Sequence, residues 1–133
     1  MSADLLTAGL LRIAADDLAA VRLLAPSNNR NAAYLLEQAA EKVIRAVLTH
    51  EGIHGGLAHH LDEMIDRLGD AHPLKRSLRT IEHLGAYATS YRYPSSTGRV
   101  RTPPSPRELE AHLVAVEQLL RAVEQHVGLG REG

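Results

Sequence analysis

Tyr34-Leu35-Leu36-Glu37-Gln38-Ala39-Ala40-Glu41-Lys42-Val43-Ile44-Arg45-Ala46-Val47-Leu48 repeats with the pitch of an α-helix. At roughly 100° per residue, Leu36, Ala39, Ala40, Val43, Ala46 and Val47 share one face, and Glu37, Gln38, Glu41, Lys42 and Arg45 fall opposite. Alanines 39, 40 and 46 make this seam narrow, so a neighbouring backbone can approach closely. Glu41 and Arg45 stand one turn apart, where an ion pair adds a few tenths of a kcal/mol. An ordinary solvated face accounts for the charges.

Outward from this helix, the chain punctuates itself into four more. A first helix runs from about Ala3 to Leu24, with Leu6, Leu10, Ile13, Leu18, Val21 and Leu24 near helical spacing and Pro26 as its stop. Asn28 or Asn29 is positioned to cap the second helix, which reaches about His50 before Gly52, Gly55 and Gly56 make a flexible turn. A short third helix spans about Leu57 to Leu68 and ends at Gly69. His72 and Pro73 open a fourth, with proline at the first helical position, where its missing N–H costs nothing. It extends to about Tyr91 and stops before Pro94. Residues 95–104 are rich in Ser, Gly, Pro and Arg and read as a flexible loop. Ser105, Pro106 and Glu108 then write a capping box, the clearest helix start in the chain. In the fifth helix Leu109, Leu113, Val116, Leu120, Val123 and Val127 alternate spacings of four and three, the seam of left-handed helix packing. Gly128 opens a short tail, 128–133. No strand signal and no internal repeat interrupts this pattern. The expected fold is all-α, an antiparallel up-and-down bundle of four or five helices in one domain spanning 1–133.

Composition narrows the function classes. The 133 residues hold no cysteine, which excludes disulfides and thiolate ligands. No apolar run approaches the roughly 20 residues of a membrane span, and no signal-peptide pattern opens the chain, so a cytoplasmic protein with no membrane partner is expected. A net charge of −1 argues against a surface that coats nucleic acid generally, so any such contact must be local. Arginine outnumbers lysine 13 to 2, and Phe and Trp are absent. The core must therefore be aliphatic, and stacking on bases falls to four tyrosines, histidines or arginine planes.

Three features in order resemble the HEPN family of small helical proteins. They are the Gln38-Ala39-Ala40-Glu41-Lys42 block after an N-terminal helix, His60 and Leu61 opening a third helix, and Tyr91-Arg92-Tyr93-Pro94 closing a fourth. The resemblance covers most of the chain. It implies a HEPN-like homodimer, a separately encoded nucleotidyltransferase as partner in a bacterial toxin–antitoxin-like system, and contact with nucleotide or RNA. In catalytic members it implies metal-independent RNA cleavage in a cleft between two subunits.

Catalytic members of the family carry an arginine followed, after four to six residues, by a histidine. Chance alone supplies about two such pairs in a chain of this composition, and five occur: Arg45 with His50, Arg67 with His72, Arg76 with His83, Arg107 with His112, and Arg121 with His126. Helix geometry separates them. On an unbroken helix the gap from Arg76 to His83 returns within about 20° of whole turns, whereas the others diverge by about 140°. Arg76 and His83 would stand on the order of 10 Å apart along the axis. His72, Arg79, Thr80, Tyr87 and Ser90 fall on the same stripe. The family's motif lies in the helix corresponding to this fourth one. The resemblance then makes His83 the group that handles the ribose 2′-OH proton and Arg76 the stabiliser of phosphate charge, with Arg79 and Tyr87 in support. The chain departs from active members at Ser77, where a stronger polar residue is common, and at Gly85, where toxin members often place a tyrosine. Members with an ending like Tyr91 to Pro94 often lack the catalytic pair.

A second candidate is the arginine-rich segment. Arg92, Arg99, Arg101 and Arg107 lie in a stretch with no acid between Glu82 and Glu108, which suits a phosphate backbone, a nucleotide or an acidic partner. No cofactor and no metal are expected: Glu51 and His54 match one Glu-x-x-His motif of di-iron bundles, but the second copy is missing. His54, His59 and His60 read as a turn and a helix start. The leading reading is a binding and assembly module, a dimer working with a nucleotidyltransferase. The alternatives are a ribonuclease using Arg76 and His83, and a purely structural helical dimer. Leu35 beside Leu36, and Leu119 beside Leu120, are apolar positions flanking the main seams of two long helices, and the sequence does not decide which face is spare for dimerisation.

Overall fold

A computed structural model of the chain describes residues 2–53 and 60–129. The elements are α1 (Ser2–Leu24), a 3-10 turn (Ala25–Ser27), α2 (Asn31–His50), α3 (Leu61–Asp66), α4 (Lys75–Arg79), a longer 3-10 segment (Glu82–Ala88) and α5 (Pro106–His126). No strand occurs among the described residues. The fold is the all-α HEPN-like bundle expected, with three long helices and the short ones packed around them. His54, His59, Gly55, Gly56 and Leu57 lie outside the described residues, as does the tail from Gly130.

α2 is the central element, packed by α1, α5, α3 and the Glu82–Ala88 segment. Leu36, Ala39, Ala40, Val43, Ala46 and Val47 are fully buried, as the seam requires, but so are Ala32, Ala33, Ile44 and Leu48 on its flanks. With neighbours on several sides, α2 has little circumference left for water. Glu41 keeps its pair with Arg45 at 2.8 Å, and Lys42 reaches Asp17 of α1 at 2.8 Å. Arg22 ties α1 to α5 through Glu117 at 2.8 Å and Glu110 at 3.6 Å.

α1 buries a different face from the one expected. Thr7, Leu11, Ala14, Leu18 and Val21 point inward, while Leu6 and Ile13 are about half exposed at 55 % and 49 %. Thr7, 2 % exposed, completes a heptad that a count of apolar residues alone misses. Of the two asparagines expected to cap α2, Asn29 does so, its Oδ1 accepting the Asn31 N–H at 2.9 Å, while Asn28 takes the left-handed conformation, φ 58°. α5 makes the serine half of its capping box, Ser105 Oγ accepting the Glu108 N–H at 3.1 Å with Pro106 at N1, while the Glu108 carboxylate accepts from Tyr87 at 3.3 Å. Its seam from Leu109 to Val123 is buried, and so are Leu119 and Leu120, at 6 % and 7 % exposure. Leu119 and Leu120 are therefore covered within the chain, and Leu35 is half-buried. The exposed apolar surface sits on α1, where Leu5, Leu6, Ile13 and Leu23 occupy an arc of about 100° opposite the buried face.

Candidate functional site

The fourth helix expected from His72 to Tyr91 is not continuous. α4 ends at Arg79, and the chain tightens into i→i+3 hydrogen bonding, with Thr80, Ile81 and Leu84 donating to Ser77, Leu78 and Ile81 at 3.1 Å. Local chemistry favours this break. Thr80 Oγ1 donates back to the Ser77 carbonyl at 2.6 Å, Ile81 is β-branched, and Gly85 stands in the middle of the Glu82–Ala88 segment. Pro73 correspondingly precedes α4 by two residues instead of opening it.

Arg76 and His83 therefore stand on different elements, α4 and the Glu82–Ala88 segment, and the single continuous helix that the spacing argument assumed is not present beneath them. Arg76 is exposed and makes no ion pair among the described residues. Arg79 is committed elsewhere, donating to Asp66 of α3 and to Glu82 at 2.8 Å, and both carboxylates raise its already high pKa further. His72 has turned away to Glu51 at the far end of the bundle. Tyr87 is buried at 9 % exposure.

His83 instead meets α5. Its imidazole lies 4.9 Å, centroid to centroid, from that of His112, tilted by 59°. Behind this pair Tyr87 stands 6.2 Å from His112, packs edge-on against Tyr91 at 5.6 Å, and donates its hydroxyl to Glu108 Oε2 at 3.3 Å. Burial, and then the adjacent His83, push His112 below the ordinary histidine value, with Glu108 opposing. Burial, reinforced by Glu108, pushes the Tyr87 phenol up to about 12, so it remains a donor at neutral pH. In front of His83 a groove of about 530 Å³ is lined by His60, Asp62, Glu82, Gly85 and Thr89 among others. Two adjacent imidazoles, one biased toward its neutral form, can accept a proton at one ring and deliver one from the other. The Arg107-to-His112 spacing flagged His112 in the sequence, but its pairing with His83 required the packing of α5 on the 3-10 segment.

The arginine segment has more internal order than its composition implies. Gly98 at φ +84° closes a tight turn in which Ser95 N–H donates to the Arg99 carbonyl at 2.9 Å, and Ser95 Oγ accepts the Arg99 N–H at 3.0 Å. Arg99 and Arg101 line a concavity of about 630 Å³ together with Ser95, Thr97, Val100 and Thr102. Arg92, Arg99, Arg101 and Arg107 are all exposed, and none is in an ion pair among the described residues. Arg92 is partly engaged: its guanidinium stacks 4.3 Å over Tyr34 and 5.2 Å from Tyr93.

Beneath that stack lies a residue misassigned by helical periodicity. Glu37, placed on the polar face by spacing, is 2 % exposed and receives a hydrogen bond from Gln38 Nε2 at 2.9 Å. Burial raises its pKa to about 6, with Glu41 adding to the shift and Lys42 and Arg92 opposing it. Tyr91 to Pro94 thus closes over α2, and its arginine contributes positive charge near a buried carboxyl.

Compared with known families, residues 7–126 match the HEPN domain, and the chain belongs to that family. Its class is a nucleotide- or RNA-related helical module. No curated protein and no solved structure matches the chain. Among the described residues no helix is long and apolar enough to cross a membrane.

Proposed function

We propose that this HEPN chain is a dimeric module that binds nucleotide or RNA phosphates on its arginine loop, alongside a separately encoded nucleotidyltransferase in a toxin–antitoxin-like system. The observation that carries this reading is the concavity of Ser95, Thr97, Arg99, Arg101 and Thr102, where two unpaired guanidinium groups and three hydroxyls face a surface without a carboxylate. Guanidinium forks and hydroxyl donors suit phosphate oxygens, and neighbouring tyrosines suit bases. The exposed arc of Leu5, Leu6, Ile13 and Leu23 supplies an apolar surface for a second copy. Fluorescence anisotropy with labelled single-stranded RNA tests the loop: Arg99→Ala with Arg101→Ala should weaken binding by roughly tenfold and flatten the salt slope by about 1.4. Wild-type protein that binds neither RNA nor nucleotide at physiological salt would sink the proposal.

A second reading, metal-independent ribonuclease, is favoured by the His83–His112 contact. Here His83 takes the 2′-OH proton, His112 is the complementary proton carrier, and the unpaired Arg76 meets the phosphate of RNA bound in the groove. Its test is cleavage of total RNA in EDTA by wild type and by folded His83→Ala; activity that is absent in both rules it out.

A further inference from the structure

Three of the histidines that spacing singled out converge at the end of the bundle remote from the arginine loop. His50 is the last residue of α2 and Glu51 its C-cap, His126 is the last residue of α5, and His72 lies on the connection between α3 and α4. Glu51 Oε2 accepts from His72 Nε2 at 2.8 Å and from His126 Nε2 at 3.0 Å. The His126 ring also lies 5.5 Å from His50 and 5.1 Å from His72, centroid to centroid. One potential ligand atom from each of His50, Glu51 and His126 falls within 4.8 Å of the others. Two features make this more than a chance cluster of polar groups. The C-terminal ends of α2 and α5 both meet here, and helix C-termini favour a cation. The Glu51 carboxylate is already fixed in place by hydrogen bonds from two imidazoles that arrive from different elements, His72 at 2.8 Å and His126 at 3.0 Å, so the donor groups are gathered before any ion enters.

We propose that His50, Glu51 and His126 form a binding site for one Zn²⁺-type ion, with His72 as the positioning residue. Two imidazoles and a carboxylate are the donor set that a borderline divalent transition ion prefers over Mg²⁺ or Ca²⁺. Tetrahedral zinc with bonds near 2.1 Å needs its ligands about 3.4 Å apart. Glu51 Oε2 and His126 Nε2 already stand 3.0 Å apart, and with all three ligand atoms within 4.8 Å of one another the remaining adjustment is about an ångström, which their exposure permits. His72 has a fixed role. Its Nδ1 accepts the Leu74 N–H at 3.1 Å, so the neutral ring carries its proton on Nε2 and donates it to Glu51. That is how an outer-shell partner orients a ligating carboxylate. When the ion enters, His126 moves its proton from Nε2 to Nδ1, through solvent, and exchanges its hydrogen bond to Glu51 for a shared metal. Water completes the coordination. The site is about 21 Å along α5 from His112, so the ion would clamp the ends of α2 and α5 without joining the His83 groove.

Zn²⁺ titrated into the EDTA-stripped full chain, by calorimetry and thermal melting, tests this, with Co²⁺ absorption as the reporter of coordination. The expected result is one ion per chain, a raised Tm, and loss of both in His50→Ala and in His126→Ala, each with wild-type far-UV circular dichroism before metal is added. His72→Ala should keep the stoichiometry and weaken affinity roughly 10- to 100-fold. His60→Ala, an exposed histidine at the start of α3, should bind as wild type. Absence of saturable binding, binding retained when His50 and His126 are both removed, or equal loss in His60→Ala would overturn the site.

Discussion

Glu37 shows most directly what a single buried side chain does to the energetics of this bundle. Its folded pKa is raised from 4.5 to about 6, so the native state holds that proton more tightly than the unfolded chain. Its contribution is therefore most favourable below about pH 4.5, declines as pH rises to about 6, and stays at the lower level above. Glu37→Gln should be more stable than wild type at pH 8 by about 1–2 kcal/mol and nearly equal to it at pH 4, read by urea unfolding at both values. Wild-type stability that instead rises across this window would show that the Gln38 hydrogen bond and the Lys42 and Arg92 charges outweigh burial. The residue is out of reach of periodicity because the polar face of α2 is defined by neighbours that a single helix does not know about. His83 and His112 present the same lesson in reverse, since each is legible alone and their contact is not. Under the ribonuclease reading, His83→Ala and His112→Ala should each reduce EDTA-resistant cleavage by roughly 10²-fold or more, with activity falling as rising pH strips the proton from His112, which burial and the adjacent His83 hold below the usual histidine value.

At the scale of elements, the capping box makes α5 readable from three residues, and it is open to direct test. Ser105→Ala removes the acceptor for the Glu108 N–H and should cost about 1 kcal/mol, a fall in Tm of roughly 3–6 °C by calorimetry. α4 departs from its expected length for an equally specific reason. Helical spacing continues through Ile81, Leu84 and Ala88, so the apolar pattern survives the change to 3-10 winding, while the back-bonded Thr80 hydroxyl and Gly85 shift the backbone. Gly85 has no left-handed conformation to protect, and a Cβ there would meet only Leu61 Cγ at an ordinary 3.7 Å. Gly85→Ala should therefore stabilise the chain by about 0.4–1 kcal/mol through its unfolded state. A loss of stability would mean that the segment needs glycine for a reason other than space.

For the whole molecule, five helical segments and an aliphatic core are visible in the sequence because stop signals and apolar periods agree with one another. The direction in which α1 faces is not. Apolar residues ring that helix, and only packing separates Leu11 and Leu18 from the exposed Leu5 and Leu23, at 76 % and 81 %. If that outer arc joins two copies, Ile13→Asp should yield a monomer in light scattering with far-UV circular dichroism unchanged; a dimer that survives would move the interface elsewhere. The tyrosines, by contrast, are gathered at one pole. Tyr87 and Tyr91 contact each other, and Tyr34 and Tyr93 flank Arg92, so all four belong to these two clusters in a chain without tryptophan. Intrinsic near-ultraviolet signals therefore watch only the neighbourhood of the Tyr91–Pro94 closure and are blind to the opposite pole with His50 and His126. A melt followed by tyrosine optics and by backbone ellipticity should superimpose if the bundle unfolds as one unit, and any separation between the two curves would locate the end that opens first.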